Sequence, residues 1–166
     1  MNIRRINSNE GNLIKELRIA AISDSPLAFG ESLEEAQTKL DREYAASAKL
    51  RAVSDSDAFF VVEDQRKYIG IIGAFFENGT NKPFISSMWV HANNRKSNVG
   101  AELFFTAKSW LSDRGAKTIH AWVAQDNIVA MSFYKKLGFR ATTEIAVMPN
   151  DSSRQEIKFI YEVWAT

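Results

Sequence analysis

The feature that most constrains the fold is a strand, a polar basic loop and a helix in direct succession within residues 87–110. The run Met88 to Val90 is apolar, and the loop after it carries Arg95 and Lys96. From residue 99 onward, apolar residues recur at helical spacing. They are Val99, Leu103, Ala107, Trp110 and Leu111. This pattern predicts a helix that begins directly after the basic loop.

The start of that helix is suited to binding an anion. The first turn of any helix has backbone N–H groups without an internal partner, and its dipole end is positive. Flexible residues such as Asn98 and Gly100 let the backbone close around a phosphate. A solvated surface loop is the commoner interpretation of such a turn when it stands alone. A phosphate site therefore needs a second motif to support it.

That second motif lies downstream, in Asn127 and in the run FYKKLGF from Phe133 to Phe139. With both motifs present, the chain resembles the GNAT superfamily of acyl-CoA-dependent N-acyltransferases. The family's phosphate loop reads Arg/Gln-x-x-Gly-x-Gly/Ala, and the matching residues here are RKSNVG, Arg95 to Gly100. Asn98 stands where glycine is usual. Because asparagine tolerates positive φ well, the turn is expected to survive with weaker phosphate binding.

Composition and length agree with a single domain over residues 1–166. Hydrophobic residues make up 45% and charged residues 25%, as in ordinary globular proteins, and the net charge of +1 gives no case for nucleic acid or an anionic membrane. The absence of cysteine excludes disulfides and thiolate chemistry, and two histidines are too few for a histidine-based metal cluster. No apolar run approaches the ~20 residues of a membrane span. A cytoplasmic protein without a metal is expected.

The predicted order of elements is β–α–α–β–β–β–α–β–α–β–β. It matches the α/β (α+β) fold that the resemblance implies. This GNAT fold has a single central, mixed, mostly antiparallel twisted sheet of about seven strands, flanked by about four helices, with one parallel strand pair at the cofactor site. The strand at Thr118 to Ala124 is expected to run parallel to the strand containing Met88. His120 within it is expected at the surface or at a sheet edge.

The resemblance implies acetyl-CoA as co-substrate and assigns roles to matching residues. The backbone of Met88 to Val90 would pair with the pantetheine arm, and one of its N–H groups would polarise the acyl carbonyl. Asn127 would contact the same arm, although a plain helix cap explains it equally well. Tyr134 would protonate the departing thiolate, its alternative being core packing. The implied cofactor-binding set is Met88, Trp89, Val90, Arg95, Lys96, Ser97, Asn98, Val99, Gly100, Ala101, Asn127, Ala130 and Tyr134.

The acceptor side is less defined. Many relatives carry a carboxylate in the strand before the phosphate loop, but FISSMW, Phe84 to Trp89, has none. Glu77 and Glu31 are the substitutes available as a general base. The segment between the first two helices forms one wall of the acceptor site in the family, so Phe29 and Gly30 are also candidates. For Phe29, the alternative interpretation is that its side chain anchors the loop by packing on the core, which is at least as consistent with the sequence.

The resulting hypothesis is an acyl-CoA-dependent N-acyltransferase that moves acetyl to a primary amine by direct attack, since no cysteine exists to carry the acyl group. Deprotonating a lysine-like amine at pH 7 costs roughly 4–5 kcal/mol, so a water chain or an amine of modest pKa is expected. One alternative is a relative that binds acyl-CoA as a sensor or interaction module without turnover. Another is an unrelated α/β domain that binds a nucleotide phosphate. The strand Ile157 to Trp164 also suits pairing with a second copy, which would give a homodimer.

Overall fold

Seven strands form one mixed sheet in the computed structural model, which describes residues 1–164. The strands are β1 (Asn2–Arg5), β2 (Asp57–Asp64), β3 (Lys67–Phe76), β4 (Pro83–Val90), β5 (Thr118–Ala124), β6 (Arg140–Met148) and β7 (Asp151–Glu162). Their order across the sheet is β1-β2-β3-β4-β5-β7-β6, and only β4 and β5 pair in parallel. This confirms the predicted sheet and its single parallel pair. The predicted domain, 1–166, includes residues 165 and 166, which lie outside the described residues.

Five α-helices flank the sheet within residues 1–164. They are α1 (Gly11–Asp24), α2 (Leu33–Thr38), α3 (Asp41–Val53), α4 (Val99–Ser112) and α5 (Ile128–Leu137), with 3₁₀ turns at Pro26–Ala28 and Ala92–Asn94. The number agrees with the expected count of about four, and the segment after Glu31 divides into α2 and α3. Each part has its own start: Ser32 and Glu35 form a capping box, and the Glu43 carboxylate accepts a hydrogen bond from the Leu40 N–H at 2.9 Å.

The two faces of the sheet are covered by different helices. Helices α4 and α5 pack on one face, where the predicted apolar stripe of α4 is buried together with Phe104 and Phe159. Helices α1 to α3 pack on the other face, over Phe59, Ile71 and Trp89. No helix among the described residues is both long and apolar enough to cross a membrane.

The sheet opens between β4 and β5. These strands pair at one position, Phe84 with His120. Beyond it β4 continues to Val90 along β3, and β5 continues to Ala124 along β7. A bulge adds to the separation: the β3–β4 register shifts between Ile71 and Gly73, and Ser87 has a φ of 55°. The two strands therefore leave a gap that extends from this pair to their carboxyl ends.

Two sequence-based expectations are wrong because strand order is not a local property. His120 is 9% exposed rather than at a surface or edge, since β5 lies inside the sheet and the His120 ring sits 5.2 Å from that of Phe84. Strand β7 pairs with β5 on one side and β6 on the other, so its backbone is not free to pair with a second copy.

Gly11 offers a test of the packing of α1 on α3. A Cβ atom at this position would lie 2.7 Å from the backbone N and Cα of Ala45. Although alanine favours helix by about 1 kcal/mol, we expect Gly11→Ala to lower the free energy of unfolding by about 1–3 kcal/mol in urea denaturation. Asn12→Ala, at an exposed position of the same helix, should change it by less than about 0.5 kcal/mol. Equal stability of the two variants would contradict the close approach.

Candidate functional site

The first turn of α4 presents a row of free backbone donors. The N–H groups of Lys96, Asn98, Val99, Gly100 and Ala101 donate no hydrogen bond within residues 1–164. The first N–H of the helix with an acceptor is that of Glu102, which donates to the Asn98 carbonyl at 3.0 Å. Because these groups share the positive end of the helix dipole, they are suited to bind an anion.

The turn forms without positive φ at Asn98. Its φ is −83° and its ψ is 6°, so the tolerance of asparagine for positive φ is not used here. Gly100 matters for packing instead. A Cβ atom there would lie 3.0 Å from the Phe133 ring and 3.4 Å from Met88 Cε. The missing side chain thus lets α4, α5 and β4 meet at one point.

The Arg95 side chain turns away from the free donors. Its Nε donates to the Val90 carbonyl at 2.9 Å, and its Nη2 donates to the Asp24 carboxylate. The Trp89 indole donates to the same carboxylate at 2.9 Å. Arg95 and Trp89 therefore tie the end of β4 to the end of α1, and Asp24 neutralises the Arg95 charge.

The gap exposes strand edges in the middle of the sheet. His91 donates its N–H to the Ile69 carbonyl of β3 at 2.8 Å. Since successive residues of a strand direct their N–H groups to alternate sides, those of Val90 and Met88 face β5. An extended molecule in the gap would find donors on both residues.

Asn127 caps α5. Its side-chain oxygen accepts a hydrogen bond from the Ala130 N–H at 3.1 Å, so this N–H is occupied. The side-chain NH₂ of Asn127 donates no hydrogen bond within the described part of the chain. The cap interpretation is confirmed, and the amide retains donors for a ligand.

Tyr134 lies on α5 in an apolar environment. Its ring packs against Phe133, Phe139 and Phe159, with centroid distances of 5.7, 5.2 and 6.3 Å, and it is 8% exposed. Burial raises the pKa of Tyr134. Its hydroxyl forms no hydrogen bond to residues 1–164 and remains protonated at neutral pH.

Glu31 takes part in an ion cluster on the α1 side of the gap. Its two carboxylate oxygens accept hydrogen bonds from Arg18 and from Lys39, the latter at 2.8 Å. Burial acts to raise the pKa of Glu31, but the hydrogen bonds from Lys39 and Arg18 outweigh it and lower the pKa. Arg18 also donates to the hydroxyl of Ser87 in the bulge. The Glu31 carboxylate is therefore a poor proton acceptor.

The segment after α1 packs on the β6–β7 turn. A Cβ atom at Gly30 would lie 3.0 Å from Pro149. Arg154 donates to the Leu27 carbonyl at 2.8 Å. Phe29 is 5% exposed within the core beneath α1, with the Arg18 guanidinium 5.2 Å from its ring.

Glu77 lies apart from the other candidates. It directly follows Phe76, the last residue of β3, which pairs with Pro83 at the start of β4. Val90 is at the other end of β4. Its carboxylate accepts a hydrogen bond from the Thr80 hydroxyl within the hairpin.

Comparison with known proteins identifies the family. The sequence profile described as the Acetyltransferase (GNAT) family matches residues 20–139. The chain belongs to the GNAT acetyltransferase family. The match includes the free N–H groups of α4, both edges of the gap, Asn127 and Tyr134.

Three GNAT relatives share between 14% and 30% identity with this chain. An uncharacterized N-acetyltransferase of Methanocaldococcus jannaschii is 30% identical over 90 residues, which cover 51% of this chain and 40% of that protein. The chain spans less than half the length of the curated relatives it matches. A GNAT-family acetyltransferase of Streptococcus pneumoniae has the same fold, with a TM-score of 0.80, 14% identity and coverage of 98% of this chain and 99% of that one. The PaiA N-acetyltransferase of Thermoplasma acidophilum, solved with coenzyme A, gives a TM-score of 0.70 at 19% identity, with 98% of both chains covered.

The sequence did not reveal several polar residues that lie around the gap between β4 and β5. Arg18 and Asp24 lie in α1, outside the motifs that the sequence singles out, yet each bonds to β4. Their partners Ser87 and Trp89 lie 69 and 65 residues away in the chain. No local pattern signals such contacts, because they depend on how α1 crosses the sheet.

The cap at Asn127 can be tested separately from any ligand. Asn127→Ala removes the oxygen that accepts from Ala130 and should lower the free energy of unfolding by about 1 kcal/mol, measured by urea denaturation. Asn127→Ser keeps a capping oxygen and should stay within about 0.5 kcal/mol of the wild type. Equal losses in both variants would contradict the capping role.

Proposed function

We propose that the protein is an acyl-CoA-dependent N-acyltransferase that transfers acetyl from acetyl-CoA to a primary amine by direct attack. The observation that carries the proposal is the set of free N–H groups of Lys96 and of Asn98 to Ala101 beside the open β4–β5 gap. Family membership supports it, as does the coenzyme A bound to the PaiA relative.

The residues present fit this co-substrate in two ways. The free donors at the start of α4 would hold its pyrophosphate, and Lys96 would add an exposed positive charge. The N–H groups of Met88 and Val90 would pair with the pantetheine arm as though it were an added strand. When bound, acetyl-CoA supplies an acyl group activated as a thioester. Of the donors facing the gap, the one nearest the carbonyl would stabilise the charge that develops on its oxygen.

Tyr134 would donate a proton to the departing thiolate. Its hydroxyl is held in apolar surroundings, has no competing acceptor among the described residues and stays protonated because burial raises its pKa. The Asn127 amide, whose oxygen is occupied by the cap, would contact the pantetheine arm through its NH₂ group. Asn127→Ser, which keeps the cap, would isolate that contribution in a binding measurement.

A protein that binds acyl-CoA without turnover is the second candidate. One observation favours it: β4 carries no carboxylate, and Glu31 is occupied by Arg18 and Lys39. Release of free thiol across a panel of primary amines separates the two functions.

Calorimetry tests the co-substrate. We expect acetyl-CoA to bind with one site per chain, and ATP and NAD, which lack the pantetheine arm, to bind far more weakly. Gly100→Val should abolish acetyl-CoA binding, because its side chain would collide with Phe133 at the first turn of α4. Comparable affinity for ATP and acetyl-CoA would contradict the proposal and indicate a general nucleotide site.

Tyr134→Phe tests the proton donor. The substitution keeps the aromatic packing and removes only the hydroxyl, so turnover should fall by roughly ten-fold or more while acetyl-CoA affinity stays unchanged. Tyr161→Phe is a matched control, since Tyr161 packs on the same Phe139 ring at 5.3 Å. It should retain wild-type turnover. An unchanged turnover number for Tyr134→Phe would refute the role of this hydroxyl.

A further inference from the structure

Glu156 of β7 lies on the sheet face opposite α4 and α5. Its neighbours Ile157 and Phe159 pack into the core beneath those helices, and side chains alternate along a strand, so Glu156 and Lys158 point to the other face. Glu156 is opposite Ala124 in the β5–β7 register. Ala124 is the last residue of β5, in the part of the strand that no longer pairs with β4.

Each cation around Glu156 is already paired with another carboxylate. Lys158 bonds to Glu144 of β6 at 2.6 Å, and Arg154 bonds to Asp126 at 2.6 Å. Glu156 has neither an ion pair nor a side-chain hydrogen bond among residues 1–164. Its half-buried carboxyl is therefore available to a ligand, and burial raises the pKa of Glu156.

The carboxyl has a clear route to the gap. Residues opposite each other in adjacent strands have Cβ atoms about 4.5–5.5 Å apart. The side chain between Glu156 and the open edge of β5 is the methyl group of Ala124, so a glutamate can extend across it. The ring of Trp122, on the same face of β5, borders this route. The segment after α1 lies close by, because Arg154 donates to the Leu27 carbonyl.

His120 lies on the same face but is less suited to accept a proton. Its Nδ1 atom is sealed from solvent without a partner within the described residues, and its Nε2 atom lies 3.3 Å from the Thr118 hydroxyl. It also sits where β4 and β5 still pair, at the closed end of the gap.

We infer that Glu156 is the general base of the reaction: it receives the acceptor in its ammonium form and removes one proton, directly or through one water. This inference rests on the proposed function. The neutral nitrogen then attacks the thioester carbonyl carbon, a C–N bond forms and the C–S bond breaks. The nitrogen loses its second proton to water, and Tyr134 protonates the thiolate and regains a proton from water. Glu156 passes its proton to solvent, so each amide formed releases one net proton.

Glu156→Gln tests the inference through turnover and pH. With the amine that the wild type acetylates fastest from a panel of polyamines, amino sugars and amino acid amides, kcat/KM at neutral pH should fall by about 10²-fold. The wild-type kcat/KM should rise with pH through the pKa of Glu156, since only the carboxylate accepts a proton, and the variant should lose this rise. The other charged groups facing this site are Glu144, Lys158, Arg154 and Asp126, and the variant leaves all of them in place. Acetyl-CoA affinity should not change.

Two controls accompany the variant. Glu162→Gln removes a carboxylate from the same face at the far end of β7, opposite Thr118, and should keep the wild-type rate and pH profile. Glu156→Asp should restore part of the activity. A third readout needs no turnover: in a carboxyl ¹³C NMR titration, the resonance lost in Glu156→Gln should titrate above the ordinary glutamate value of about 4.3.

The outcomes distinguish a failure of the Glu156 role from a failure of the proposed function. If the wild type acetylates amines and Glu156→Gln matches its rate and pH profile, the role of Glu156 is overturned and the proposed function stands. An ordinary titration midpoint for Glu156 also overturns the role. If the wild type binds no acetyl-CoA, or acetylates no amine, the proposed enzyme function fails and the inference fails with it. Should Glu156→Gln not fold, Glu156→Asp identifies the Glu156 resonance for the wild-type titration, and that titration decides together with the kinetics of Glu156→Asp.

Discussion

The separation of β4 from β5 is the constraint on which the rest of the molecule depends. A strand in the middle of a sheet normally pairs its backbone on both sides, because an unpaired polar group removed from water costs free energy. Here two interior edges stay unpaired beyond Phe84 and His120. The bulge at Ser87, a residue with positive φ, and the free N–H groups at the start of α4 both lie at this opening.

Charged side chains hold the opening in position from the α1 side. Asp24 ends α1, where a negative charge is unfavourable to the helix dipole, yet Arg95 and Trp89 both donate to it. Six residues before Asp24 in α1, the Arg18 guanidinium donates to both the Ser87 hydroxyl and the Glu31 carboxylate. These ion pairs hold the end of β4 in place, and they neutralise the charges of Arg18 and Arg95. Because ion pairs in contact with solvent contribute little to stability, their main effect is to position β4.

The sequence predicted those parts of the fold that local patterns determine. Helix α4 begins and continues as its apolar spacing indicates, and the strand that follows it runs parallel to β4 as expected. The site could be predicted only as a set of positions along the chain. The burial of His120, the interior place of β7 and the pairing of Arg95 with Asp24 all depend on which strands and helices become neighbours. Glu156 was missed for the same reason, because an isolated glutamate in an edge-like strand carries no local signal.

The gap also divides the sheet into two blocks that share a single pair of strand residues. One block contains β1 to β4, and the other contains β5, β7 and β6. Few backbone hydrogen bonds connect the two blocks. They are held together by the helices that pack across the boundary, for example where Gly100 of α4 approaches Phe133 of α5. An extended molecule lying in the gap would act as the missing strand and join the blocks through main-chain hydrogen bonds. Occupancy of the gap would then govern whether the blocks melt as one cooperative unit or as two.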